Sequence, residues 1–144
     1  MINDVSKFFG VWELKSFTTQ YENNDVVYPL GNDAIGLLIY NPNGYVNVTL
    51  QKKKFDHFKL PDRQLASNEE KITAFDTFYA YTGKWFLKDN LMHHKIIMSI
   101  IPNWINTIIT REPVWINNNN LNLYAVWNVD GKKRTANLSW KKVE

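Results

Sequence analysis

"AIGLLIYNPNGYVNVTLQ", residues 34–51, is two apolar runs joined by a tight turn. Pro42 presets its own φ and Gly44 tolerates a positive one, so "NPNG" (41–44) reverses the chain. Beyond the turn the side chains alternate, with Val46, Val48 and Leu50 on one face and Tyr45, Asn47 and Thr49 on the other. That two-residue period predicts a strand buried on one side, and "AIGLLIY" (34–40) is its antiparallel partner.

The same grammar extends both ways. Upstream, "FGVWELKSFTTQ" (9–20) alternates as a strand and leads through the turn "YENND" to the connection "VVYPLG". Downstream, strands are expected at 84–88, 91–101, 105–116, 121–129 and 132–140. They are separated by "DN", a bend at "PNW", "NNNN" and "DG", the last a strong two-residue hairpin signal. Between the third and fourth strands, "SNEEKITAFDTFYAY" predicts one substantial helix. Ser67 and Glu70 form a capping box, Ile72, Phe75, Phe78 and Tyr79 recur at helical spacing, and Gly83 ends the segment. The apolar face of this helix is expected to turn to the barrel or its mouth. Eight meandering strands remove their edges by closing, and a barrel of that width either fills with side chains or holds one small ligand. The expected fold is all-β, one domain over 1–144, an eight-stranded antiparallel barrel with a helix between the third and fourth strands.

Composition bounds the chemistry. The chain has 144 residues, 44% hydrophobic and 22% charged, as in ordinary globular domains. Six Trp, seven Tyr and eight Phe favour β-structure, where flat side chains pack well. Without cysteine there is no disulfide, thiolate nucleophile or cysteine metal site. No basic, apolar leader opens the chain and no apolar run approaches the ~20 residues of a membrane helix, so a cytoplasmic location and no membrane partner are expected. The net charge of +3 gathers at "QKKKF" (51–55) and "GKKR" (131–134). These lysines flank strands and a tight turn, as edge protection does, so nucleic acid is not expected as a partner. The oligomeric state is not legible.

Several landmarks recur in a fixed order: "FGVWELKSF" with Gly10 and Trp12, "YPLGNDAIGLLIYNPNGYVNV", "YAYTGKW", "MHHKIIMSIIPNW" and a closing "LSWKK". Together they resemble the bacterial lipocalin-like domain family over nearly the whole chain. The resemblance implies a calycin-type lipocalin-like barrel, and a function in binding small apolar molecules. It also implies an alternative, since some related barrels catalyse isomerisation or cyclisation without a redox cofactor. Two positions depart from the family pattern. Asn106 stands where Gly is frequent, and Lys142 where an arginine tends to stack on the Gly-x-Trp tryptophan.

Candidate site residues follow from strand alternation. Over 91–101, Met92, His94, Ile96, Met98 and Ile100 share one face, so His94 and Met98 are expected inside and His93 outside. An interior imidazole either orients a ligand, moves a proton or is a structural histidine bonded within the barrel. Arg111 either points inward and needs an anionic or carbonyl partner, or snorkels at the rim. Inward, it would suit a carboxylate, phenolate or enolate oxygen. Trp104 is displayed near one mouth, and Trp12, Trp85, Phe78 and either Tyr124 or Trp127 are the aromatic candidates for a wall. The expected ligand contacts are therefore Trp12, Phe78, Trp85, His94, Met98, Trp104, Arg111 and Tyr124. His94 and Arg111 are the catalytic candidates should the barrel be an enzyme. Three histidines, two of them adjacent and opposed, do not supply a His₃ site, so no metal and no cofactor are expected. A Gly-x-Ser-x-Gly elbow, a phosphate-cradling loop and an HExxH motif are all missing from the sequence.

Overall fold

The structure, a computed structural model, describes residues 4–143. Its strands are β1 (Gly10–Tyr21), β2 (Val26–Val27), β3 (Ile35–Tyr40), β4 (Tyr45–Gln51), β5 (Phe78–Lys88), β6 (Leu91–Ser99), β7 (Ile108–Asn117), β8 (Asn120–Val129) and β9 (Lys132–Lys142). One helix, α1 (Asn68–Asp76), separates β4 from β5. Strands pair antiparallel in a meander, and β9 returns to β1 from Trp12↔Lys142 to Tyr21↔Arg134. The eight long strands thus form a closed barrel. The two-residue β2 covers the stretch of β1 at Thr19 and Gln20 that β3 does not reach. The expected count of eight omits β2. Counting it, α1 follows the fourth strand and precedes the fifth, one place later than expected.

The helix begins where its capping box predicts and ends early. Glu70 N–H donates to Ser67 Oγ at 3.1 Å, and Ser67 N–H donates to Glu70 Oε1 at 2.9 Å. Glu70 Oε2 also accepts Lys59 N–H at 2.9 Å, which ties the preceding loop to the helix start. These bonds hold the Glu70 carboxyl below its ordinary pKa. α1 stops at Asp76, buries no residue, and leaves Ile72 and Phe75 60% and 52% exposed. The expectation that its apolar face turns to the barrel is therefore overturned. Phe78–Tyr81 belong to β5 instead, paired with β4 from Gln51 to Val48. Aromatic side chains favour a pleated surface, and Tyr79 and Tyr81 alternate inward there.

Gly83 has a different task from ending a helix. It lies at a β-bulge, where Thr82 pairs with Met98 and Gly83 with Ile96, so Ile97 is the extra residue. A Cβ on Gly83 would sit 2.0 Å from the Lys95 carbonyl oxygen, so this approach admits only glycine. The extra residue exchanges the faces of β6 beyond it. Met92, His94 and Ile96 are buried, whereas Met98 is 61% exposed. The inward placement of Met98 is thus corrected, because strict alternation cannot cross a bulge.

One end of the barrel is plugged by aromatic rings. A short 3-10 turn, Val5–Phe8, delivers Phe8 into the end, with its ring centroid 4.9 Å from Trp115 and 5.9 Å from Tyr40. Trp12 lies 5.8 Å from Trp115 and donates its indole N–H to the Phe8 carbonyl at 2.9 Å. Such a buried donor must find an acceptor, and the turn supplies one. Gly10, at φ +118°, makes the sharp entry into β1 that other residues resist. Across the closure, the Lys142 ammonium stands 5.5 Å from the Trp12 ring centroid. The lysine gives a cation–π contact in place of planar stacking. Asn106, the other departure, sits at φ +65°, a left-handed conformation that asparagine tolerates and glycine prefers. Among the described residues, no helix is long and apolar enough to cross a membrane.

Candidate ligand cavity

The other end of the barrel is hollow. A cavity of about 770 Å³ opens there, within the range of small-molecule sites. Its walls are largely apolar: Phe17, Leu38, Val48, Leu50, Leu123 and Leu138 contribute from five strands. Each comes from the inward side of its strand, where alternation turns every second residue to the interior. At the mouth, Arg134 lies 4.1 Å from the centroid of Tyr21, and its strand neighbour Trp127 also lines the opening.

Polar groups gather at the inner end, against the aromatic plug. His94 is 1% exposed. Tyr40 Oη lies 2.8 Å from His94 Nε2, and Tyr81 Oη lies 2.7 Å from Nδ1, so both ring nitrogens are engaged by tyrosines. Burial, with smaller contributions from the Arg111 and His93 charges, lowers the His94 pKa to about 3, so the ring is neutral at physiological pH. Burial likewise raises both phenols, Tyr40 the more strongly, and keeps their protons in place. His93 alternates outward, where it stacks on Phe86 with centroids 4.9 Å apart.

Arg111 lines the same cavity. It pairs across the ladder with Met92, a fully buried residue, which sets it at the inner end. Its charge acts on Tyr40, Tyr81 and His94. The guanidinium donates to the Thr110 carbonyl at 3.2 Å. No Asp or Glu is among the described residues that line the cavity, so Arg111 has no carboxylate partner there.

Three of the expected contact residues, His94, Trp104 and Arg111, meet at this cavity. Trp104 leaves a 3-10 turn, Pro102–Trp104, and packs edge-on to Tyr81 at 6.0 Å. The other five lie elsewhere. Trp12 is sealed in the plug, and Trp85 packs 4.9 Å from Tyr40 while donating its indole N–H to the Asn41 carbonyl at 3.0 Å. Phe78 faces a groove beside α1, because the strand that replaces the helix turns it away from Tyr79. Met98 is turned out by the bulge. Tyr124 alternates away from the inward Leu123 and Ala125, which leaves Trp127 as the lining aromatic on that strand. Tyr40 and Tyr81 were not among the candidates. The signal for Tyr81 is the two-residue run Tyr79, Tyr81, Gly83, Trp85, masked by the helical spacing of the residues before it. No group of three or more His, Cys, Asp or Glu side chains suited to a metal ion occurs among the described residues.

The lipocalin-like domain family matches the chain over residues 9–143. No curated protein matches it. Among solved structures, a redesigned β-barrel is similar at 16% identity and a TM-score of 0.49, over 100% of this chain and 98% of that one. An uncharacterized protein from Bacteroides eggerthii is similar at 13% identity and a TM-score of 0.46, over 94% and 99%. A further similar structure, EF1p2_mFAP2b bound to DFHBI, shares 10% identity with a TM-score of 0.48, over 96% and 95%.

Proposed function

Because this chain belongs to the lipocalin-like domain family, we propose that its barrel binds one small, largely apolar molecule. The observation that carries this reading is the division of the interior into a sealed aromatic half and an open, apolar-walled half of about 770 Å³. Burying apolar surface in such a space yields about 25 cal/mol per Å². An apolar molecule of modest size can thereby offset the cost of being immobilised. The polar groups at the inner end give the molecule one orientation, with an anionic or carbonyl oxygen towards Arg111.

Binding is favoured over the alternative, isomerisation or cyclisation in the same cavity, by the state of His94. A general base must offer a free ring nitrogen whose pKa lies near the operating pH. Both nitrogens of His94 are held by tyrosines, and its pKa lies near 3.

Nile red, an uncharged dye that brightens in apolar surroundings, tests the reading. It should bind with one-to-one stoichiometry and be excluded by Ala125→Trp, which fills the cavity from a lining position on β8. Equal brightening by the folded variant would move binding to the outer surface and defeat the proposal.

A further inference from the structure

The hydrogen atoms at the inner end of the cavity can be assigned by elimination. A neutral imidazole has one N–H donor and one bare nitrogen acceptor. His94 faces one tyrosine hydroxyl on each side, so one hydroxyl donates to the ring and the other accepts from it. Tyr40 is fully buried, and His94 Nε2 is its one hydrogen-bond partner among the described residues. Were Tyr40 the acceptor, its own proton would be stranded in the aromatic plug, which is costly. Tyr40 therefore donates to Nε2, and the ring proton sits on Nδ1. Nδ1–H then donates to Tyr81 Oη, and the Tyr81 proton is left over. Tyr81 lines the cavity, so that proton is available to whatever occupies it.

Two other residues that line the cavity carry donors, whereas Asn137, whose buried Oδ1 lacks a partner, is not a lining residue. Arg111 gives the Thr110 carbonyl one N–H and meets no lining carboxylate. Trp140, also a lining residue, has a buried indole N–H without an acceptor. An inner end made of donors, carrying one positive charge, is complementary to a group that only accepts and carries one negative charge. A carboxylate meets both conditions. A phosphate dianion would leave an uncompensated charge against apolar walls, and a phenol would first have to be ionised.

We propose that the inner end of the cavity is a carboxylate site: Arg111 and the Tyr81 hydroxyl, kept a donor by the Tyr40–His94–Tyr81 chain, receive the head of an apolar monocarboxylic acid. The tail of the acid runs along Leu38, Leu123 and Leu138 towards the mouth. Arg134, at that mouth, adds a positive field that attracts the anion. This inference rests on the reading of the barrel as a small-molecule binder and goes further by naming the head group.

Displacement of Nile red by decanoate and by 1-decanol separates the two. The probes share a tail and differ in the head. Decanoate is expected to bind at least about tenfold more tightly, as charge-assisted hydrogen bonds allow. Arg111→Gln and Tyr81→Phe should each reduce the preference for decanoate over decanol by about tenfold, whereas Met98→Lys, on the outer face, should not. Melting curves establish that each variant is folded. Equal affinity for both probes would overturn the carboxylate site and leave the apolar cavity standing. Failure of the dye itself to bind would remove both. A second measurement needs no ligand: long-range ¹H–¹⁵N spectra should show His94 protonated on Nδ1 and bare on Nε2. The opposite tautomer would break the proposed chain at its first link.

Discussion

The Tyr40 hydroxyl, 2.8 Å from His94 Nε2, joins the sealed half of the barrel to the open half. Tyr40 belongs to the plug, with Phe8 and Trp85 against its ring, and His94 belongs to the cavity wall. This contact makes the stability of the fold sensitive to the same imidazole that shapes the inner end of the cavity.

Acid should therefore destabilise the protein in a definite window. The folded pKa of His94, about 3, lies below its ordinary 6.5. Between these values the unfolded chain takes up a proton that the folded chain refuses. The contribution is complete above pH 6.5 and drains away as pH falls towards 3. Going from about pH 7.5 to about pH 4.5 should cost about 2–3 kcal/mol from this group. Urea unfolding across that range should show a shallower pH dependence in His94→Phe than in the parent. Matching slopes would count against the assignment.

The bulge predicts an asymmetry between two glycines. Gly83→Ala must displace the Lys95 carbonyl and should cost roughly 3 kcal/mol or more. Gly44→Ala has open space around it and should cost about 1–2 kcal/mol, from its positive φ alone. Denaturant midpoints of the two variants compare them directly, and similar losses would argue against the close approach.

Facing on β6 is testable with one charge. Met98→Lys should stay within about 0.5 kcal/mol of the parent, because the side chain is already in solvent. Ile96→Lys, two residues earlier, should cost more than about 3 kcal/mol or prevent folding, since it buries an unpaired ammonium. Comparable effects at both positions would mean that β6 has no bulge.

Asn106 gives a test of backbone conformation. Asn106→Ala should lower stability by about 1 kcal/mol, and Asn106→Gly should match or slightly exceed the parent. Thermal melts would read both, and an alanine as stable as glycine would rule out the left-handed geometry.

Much of this protein was written locally. Turn residues such as Pro42, Gly44 and the Asp130–Gly131 pair set where the chain reverses, and two-residue alternation set which face of most strands was apolar. The inward His94 and outward His93 followed from that alternation, because they lie before the bulge. Tertiary structure alone decided the rest. Whether Phe78–Tyr81 extend a helix or pair with β4 depends on a partner distant in sequence, and so does the extra residue that turns Met98 outward. The void was not legible either, since its size depends on how rings from Phe8, Tyr40, Trp85 and Trp115 fill one end and leave the other open. Closure of the barrel brings Tyr40, Tyr81, His94 and Arg111 together from four strands. Local pattern carries which way a side chain points, and only the closed sheet determines what it meets there.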